Sequence, residues 1–254
     1  TDIMHVSITD HKIGIHTTEK QEKGAFMGLF AINNAKPTNL SKAKAYLKQY
    51  ESFQANPIYL DSAFHFLKKT DSYFPAFIQY YYLKNDDKGL INFAMNNEVA
   101  AAKYSNTDLA MAYSRMGEVF VRNNMSGTAG EYFAKATKLM PFVIDYKIKQ
   151  GAFLLKQKQL LAAKKVFTSA LSLNPTIKEI HLNLGYISLL EYDFEKGDLY
   201  LKQALALDPD YVLAYENLVL SAQMQNKMEQ VKVYLNKILE IAPNHKAKTI
   251  LEKI

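Results

Sequence analysis

The sequence predicts an all-α fold, a solenoid of stacked helix pairs preceded by a mostly non-helical N-terminal arm. Three observations carry that prediction. Pro141, Pro175, Pro209 and Pro243 follow one another at 34-residue intervals. Sliding the chain by the same interval aligns small residues at Gly117, Gly151 and Gly185, and again at Ala129, Ala163 and Gly197, with Val219 and Val231 completing the two columns. Four positions beyond the second column stands a bulky side chain, Phe133, Phe167, Leu201 or Leu235, followed by Ala136, Ala170, Ala204 or Ile238. A fixed period of this length marks a repeat architecture, in which one unit cannot bury its apolar face alone and stacked neighbours do so.

Each unit reads as two amphipathic helices. The small residues let neighbouring helices approach closely, the bulky residue fills the space between them, and proline ends the second helix because it cannot continue the hydrogen-bond ladder. Asn174-Pro175 and Asp208-Pro209 are turn dipeptides, and Pro243-Asn244 opens a last short helix over 246–254. The units so defined are 110–143, 144–177, 178–211 and 212–245.

Upstream the period weakens. Leu40 to Phe53 and Pro57 to Lys69 predict a helix pair within 40–75, where Ala63, Leu67 and Pro75 keep the small, bulky and proline spacing. Phe77 to Leu83 and Leu90 to Tyr104 predict another within 76–109, with Ala102 on the small-residue grid. The step from Pro75 to Pro141 falls two positions short of two full periods, which a two-residue deletion in a loop near 86–110 explains. About six helix pairs and a terminal helix result.

Composition agrees. Across 254 residues, 48% are hydrophobic and 22% charged, a balance that buries a core and excludes general disorder. The formal net charge of +6 is spread among interleaved acids, so no nucleic-acid footprint stands out. No apolar run approaches the roughly 20 residues that span a bilayer. The absence of cysteine excludes disulfides, zinc ribbons, iron–sulfur ligation and a thiol nucleophile. The chain begins Thr1-Asp2-Ile3-Met4, with neither an initiator methionine nor a signal peptide, and reads as a fragment or processed form.

At the repeat residues the chain resembles the tetratricopeptide repeat (TPR) family, whose 34-residue pattern runs aromatic, Leu-Gly, aromatic, then Ala, Phe, Ala and Pro. Tyr113, Met116-Gly117 and Phe120 match it, as do His181 with Leu184-Gly185 and Tyr215 with Leu218; Gln150-Gly151 matches only at its glycine, Lys147 standing where an aromatic belongs. The resemblance implies a right-handed superhelix whose first helices line a concave surface that binds a protein or peptide. Carried onto this chain, the groove residues are Met111, Ser114, Glu118 and Arg122; Asp145, Ile148, Ala152 and Leu155; Leu182, Tyr186 and Leu189; Leu213, Glu216, Leu220 and Gln223. The Lys/Asn/Arg set with which some family members clamp a terminal carboxylate is missing. The occupant is then an extended or helical peptide or another domain of the same parent chain, or the surface is covered by residues 1–39 or a superhelical neighbour.

Residues 1–39 form the arm. Val6 with Ile8 and Ile13 with Ile15 alternate like short strands, and Gly24, Gly28, Asn33-Asn34 and Pro37 break any helical period. It holds His5, His11 and His16, whose spacings of six and five suit neither one helix face nor a zinc-binding helix. By spacing alone two readings stand, a metal site and polar residues on a surface arm. The stretch Asp2 to Ile13 also resembles a segment of multihaem c-type cytochromes that often precedes TPR domains. That resemblance implies that His5 and His11 are distal axial haem ligands in the full-length protein, with haem c anchored upstream. No cofactor is attached within this chain, which has no Cys-x-x-Cys-His. It further implies a periplasmic or extracytoplasmic location, the alternative being a cytoplasmic TPR adaptor.

Other candidates have plainer readings. Tyr73, Phe74, Phe77, Tyr80, Tyr81 and Tyr82 could stack on a ligand, but aromatics this dense cover nearly every helix face and predict core packing. His181 occupies a packing column and predicts a hydrogen-bonded structural histidine, and Asp86-Asp87 predicts a solvated turn. No carboxylate pair, nucleophile elbow, Rossmann or Walker pattern occurs, so the chain reads as non-enzymatic.

Overall fold

The structure, a computed structural model, describes residues 37–52, 56–70, 73–97 and 101–253. They form two compact units that divide between Asp86 and Asp87. Among the described residues the regular structure is helical throughout, with no strand. The expected arm, with His5, His11, His16 and the strand-like alternation, lies outside the described residues up to residue 36, and Pro37 and Thr38 lead directly into the first helix.

The first unit contains α1 (Asn39–Ser52), α2 (Pro57–Leu67) and α3 (Phe74–Leu83). Pro57 starts α2 where a missing N–H is harmless, and the Asn56 side chain caps it by accepting from Ile58 N at 3.1 Å. Ala43, Leu47, Leu60, Ala63, Leu67, Ala76 and Tyr80 make the core. The aromatic run packs as expected: Phe74 and Tyr80 are buried, Phe64 stacks on Tyr80 with centroids 4.8 Å apart, and Tyr73, Phe77 and Tyr81 lean on the same cluster. Pro75 differs from its expected role. It sits in the first turn of α3 instead of after a second helix, because α2 stops at Leu67 and Pro is tolerated where the N–H has no helical partner.

The second unit begins with α4 (Asp87–Asn96) and continues through a 3₁₀ turn at Ala101–Lys103. The helix expected from Leu90 to Tyr104 therefore stops early, at Asn96, and Ala102 is exposed in the 3₁₀ turn instead of buried in a packing column. The expected pair 76–109 is divided as well, with α3 in the first unit and α4 against the next helix of the second. The four regular pairs follow as α5 (Asn106–Arg122) with α6 (Ser126–Leu139), α7 (Ile144–Lys156) with α8 (Leu160–Leu173), α9 (Lys178–Leu190) with α10 (Phe194–Leu207), and α11 (Val212–Met224) with α12 (Met228–Ile241). Every boundary from Arg122 onward recurs on the period of the prolines, and α13 (Ala247–Leu251) closes the series inside the expected 246–254. We call the first helix of each regular pair A and the second B.

The small-residue column fixes the A–B contact. A Cβ built on Gly117 would lie 2.8 Å from Phe133, on Gly151 2.8 Å from Phe167, and on Gly185 2.8 Å from Leu201. Each glycine of an A helix thus receives the bulky B-helix residue of its own pair. Between α9 and α10 the contact is doubled, since Gly197 faces both Leu189, at 2.5 Å from a built Cβ, and the Gly185 backbone. In the last pair Val219 and Leu235 occupy these positions within an apolar cluster that also takes in Ala247 of α13.

A second device recurs in the A–B turns. Asn124, Lys158, Tyr192 and Asn226 have φ between 56° and 61°, one in each regular pair at the same place in the period, and Asn85 after α3 does the same. Around each, the following N–H reaches five positions back, as from Met125 to the Phe120 carbonyl at 2.8 Å, while the left-handed residue bonds three back, as from Asn124 to Val121 at 3.1 Å. This is the Schellman closure, which satisfies carbonyls that a helix end leaves open. The B helices end differently, at proline turns in which Asn174 accepts from Thr176 N at 2.8 Å and Asp208 from Asp210 N at 3.1 Å.

These contacts set opposite outcomes for two glycine substitutions. Gly185→Ala drives a methyl into Leu201 and the Gly197 backbone, and destabilises by about 1–3 kcal/mol. Gly127→Ala in α6 meets nothing within 4 Å and stabilises by roughly 0.5–1 kcal/mol through lower unfolded-chain entropy. Urea midpoints of the two variants check both signs.

Candidate functional site

The A helices of successive pairs touch, α7 with α9 and α9 with α11, so their outward faces form one continuous surface in the second unit. The residues expected on it fall into three groups. Ala152, Leu155 and Tyr186 come together in a cleft of about 600 Å³, whose remaining walls are Lys156, Lys158, Leu160 and Leu190. Ile148 and Leu182 are half-buried along the same helices, each packed against an apolar cluster. Leu213 is 49% exposed on α11.

The second group is engaged in ion pairs. Lys149 Nζ lies 2.7 Å from Glu118 of α5 and 3.0 Å from Asp145 one turn earlier in α7, joining two expected groove residues through a third that the pattern did not single out. Burial lowers the Lys149 pKa, and the hydrogen bonds to the two carboxylates raise it by more, so the ammonium is held charged. Arg122 grips Asp87 at the start of α4 with two bonds, 2.6 and 3.2 Å, and Asn123 adds a third at 3.0 Å. Asp87 is therefore a helix-terminal anchor and not a solvated turn. The Arg122 hydrogen bond, aided by Asn123, holds its carboxyl below the ordinary value of 3.8 against the opposing effect of burial. Glu216 is drawn to the chain end, 2.9 Å from Lys246 and 3.4 Å from His245. Leu220 and Gln223 line a smaller cleft of about 290 Å³ there, closed by His245, Lys246, Ala247 and Ile250. The terminal segment thus covers part of the last A helix.

The third group is withdrawn from the face. Ser114 is 2% exposed on α5, a helix packed against both α4 and α6. Leu189 is fully buried against Gly197. Met111 is half-buried near the start of α5.

Leu189 shows where the pattern was followed one residue off. Arg122 lies in a column that continues as Lys156, Leu190 and Met224, whereas Leu155, Leu189 and Gln223 belong to the column of Val121. The grid, applied strictly, would have selected Lys156 and Leu190, and both line the large cleft. Lys158 and Leu160 lie in and after the A–B turn and carry no helical-face signal.

No three His, Asp or Glu side chains gather to hold a metal ion among the described residues. His181 is buried, with Nε2 donating to the Pro175 carbonyl at 2.7 Å, as its packing column predicts. No described helix is long and apolar enough to cross a membrane.

No protein-family model and no curated protein matches the sequence. Solved structures do match in shape. YrrB, described as a TPR protein with an unusual peptide-binding site, aligns over 84% of this chain and 100% of its own with 21% identity and a TM-score of 0.57. PilF of Pseudomonas aeruginosa covers 85% of this chain and 95% of its own at 15% identity and 0.62. A MamA chain from Desulfovibrio magneticus RS-1 covers 80% and 97% at 18% identity and 0.51. Likeness at these identities establishes the fold: the chain has the TPR architecture that its repeat grid predicts.

The Asp87 anchor yields a pH test. Because folding lowers this carboxyl's pKa, its stabilisation is present above about pH 3.8 and disappears as pH falls through the lower folded value. Wild type is more stable than Asp87→Asn at neutral pH, and the gap in urea midpoint closes in strong acid. A gap independent of pH contradicts the anchor.

Proposed function

We propose that this chain is a non-enzymatic interaction module that binds a protein or peptide segment on the A-helix face of its regular repeats. The observation that carries the reading is the cleft of about 600 Å³ between α7 and α9, a size suited to large side chains and walled by Leu155, Leu160, Tyr186 and Leu190. The fold supports it, since stacked helix pairs expose one long face of first helices. YrrB, a TPR protein with a peptide-binding site, is a precedent of the same architecture.

The test places charge on this face at exposed positions, so that packing is spared. Ala152→Glu with Leu213→Glu should abolish capture of partners from a lysate of the source organism while the circular dichroism spectrum is unchanged. Leu199→Glu, on the exposed face of α10, should capture as wild type does. Retained capture by the first variant refutes the assignment of the face.

A second reading concerns the parent protein and rests on the Asp2 to Ile13 segment. By its resemblance to multihaem cytochromes, this chain is the C-terminal part of an exported multihaem protein in which His5 and His11 serve as distal haem ligands. A longer gene product carrying several Cys-x-x-Cys-His motifs should then lose a low-spin bis-histidine signal with His5→Ala or His11→Ala. An upstream sequence without such motifs removes this reading, and one that also lacks an export signal favours a cytoplasmic adaptor.

A further inference from the structure

The left-handed turns differ in one respect that the fold does not require. Of the five among the described residues, counting the turn after α3, three use Asn, which adopts that conformation with little penalty. The other two place Lys158 and Tyr192 there, large side chains for which φ of 59° and 61° is unfavourable. Both flank the same place. Lys158 lines the cleft between α7 and α9, and Tyr192 comes shortly after Leu190, another of its walls. Tyr192 is 73% exposed, with its ring set edge-on to Phe194, so burial does not compensate for its conformation. Leu161, next in sequence to the cleft residue Leu160, is 81% exposed.

Charge adds to the chemistry of this cleft, although other lysines on the same helices, Lys147 and Lys165 among them, also have no carboxylate within 4.0 Å among the described residues. Lys149 is neutralised by Glu118 and Asp145, Lys164 by Glu191, and Lys178 by Asp208. Among the described residues, neither Lys156 nor Lys158 has a carboxylate within 4.0 Å. Glu191, the acid that follows Leu190, is itself taken up by Lys164. The cleft therefore presents an apolar floor with two lysines at its rim that meet no carboxylate among the described residues. The described residues also expose no strand edge, so a bound segment is read through its side chains and not by added backbone pairing.

We infer that this cleft recognises an acidic peptide segment carrying an aliphatic or aromatic anchor, and that Lys158 and Tyr192 are kept in strained turns to extend it. The anchor enters between Leu155, Leu160, Tyr186 and Leu190, and flanking Asp or Glu side chains meet Lys156 and Lys158. This rests on the A-helix face being the binding surface and adds the chemistry of what binds. Opposite charge across a rim mainly sets selectivity and encounter rate, while the apolar anchor supplies affinity.

The probe is a phage-displayed library of random peptides, selected against the whole chain, with the strongest clones remade as labelled peptides for fluorescence anisotropy. Enriched peptides should carry Asp or Glu beside Leu, Ile, Phe or Tyr. Lys156→Glu with Lys158→Glu should weaken their binding by about tenfold or more, and Leu199→Glu should leave it unchanged. Lys158→Gly should raise the thermal midpoint while weakening binding, a combination that a merely structural lysine would not give. Enriched peptides that are neutral or basic, or that ignore the lysine reversal, overturn the inference. The face assignment then survives only if Ala152→Glu with Leu213→Glu abolishes their binding. If no peptide is enriched, or no groove variant affects the clones, both fall.

Discussion

The contact on which the second unit depends is the seating of a bulky B-helix side chain on a bare glycine of its A helix. Phe133 on Gly117, Phe167 on Gly151 and Leu201 on Gly185 are one contact used three times. It sets the distance between the helices of a pair, because the ring or branched side chain lies where a Cβ would be. With that distance fixed, Ala136, Ala170 and Ala204 are buried completely, and the next pair can stack on a surface of constant shape. From Arg122 onward the helix boundaries recur on the same 34-residue period. The Schellman turns complete the constraint by holding the chain reversal to the same few residues each time.

The same contact explains why so much of the fold was legible in the sequence. A glycine and a bulky residue at one constant separation recur only if the structure recurs, and four prolines on the same grid fix the frame. Legibility ended where one residue type serves two roles. Pro75 has the spacing of a helix-ending proline and begins a helix, since proline suits both sites. Asp87 reads as a turn residue from its neighbours, and only folding brings it to Arg122, 35 positions away. The Leu90 to Tyr104 segment keeps apolar residues after Asn96 that suggest continuation, yet Ala101–Lys103 winds as a 3₁₀ turn.

The A-helix face was partly legible for a related reason. An A helix advances about 3.6 residues per turn, so a step of three or four from Ala152 gives Leu155 or Lys156, and both reach the cleft. One pair later the same choice separates Leu189, buried on Gly197, from Leu190, which lines the cleft. Lys158 and Tyr192 were beyond pattern reasoning, because a left-handed residue declares itself by backbone angle, and Asn or Gly is the expected occupant. They depart from local preference beside the large cleft described on the A-helix face.

The last helix pair breaks the series by placing Val219 against Leu235, and it is the pair that α13 covers. This pair lacks the glycine that gives the other three the tightest seat between their helices. The short α13, with Ala247 fully buried, acts there as a plug, and the Glu216 pairs to His245 and Lys246 pin it in place. The array therefore has a built-in polarity. Its last described pair is covered by a short helix, where each earlier regular pair is covered by the A helix of the pair that follows.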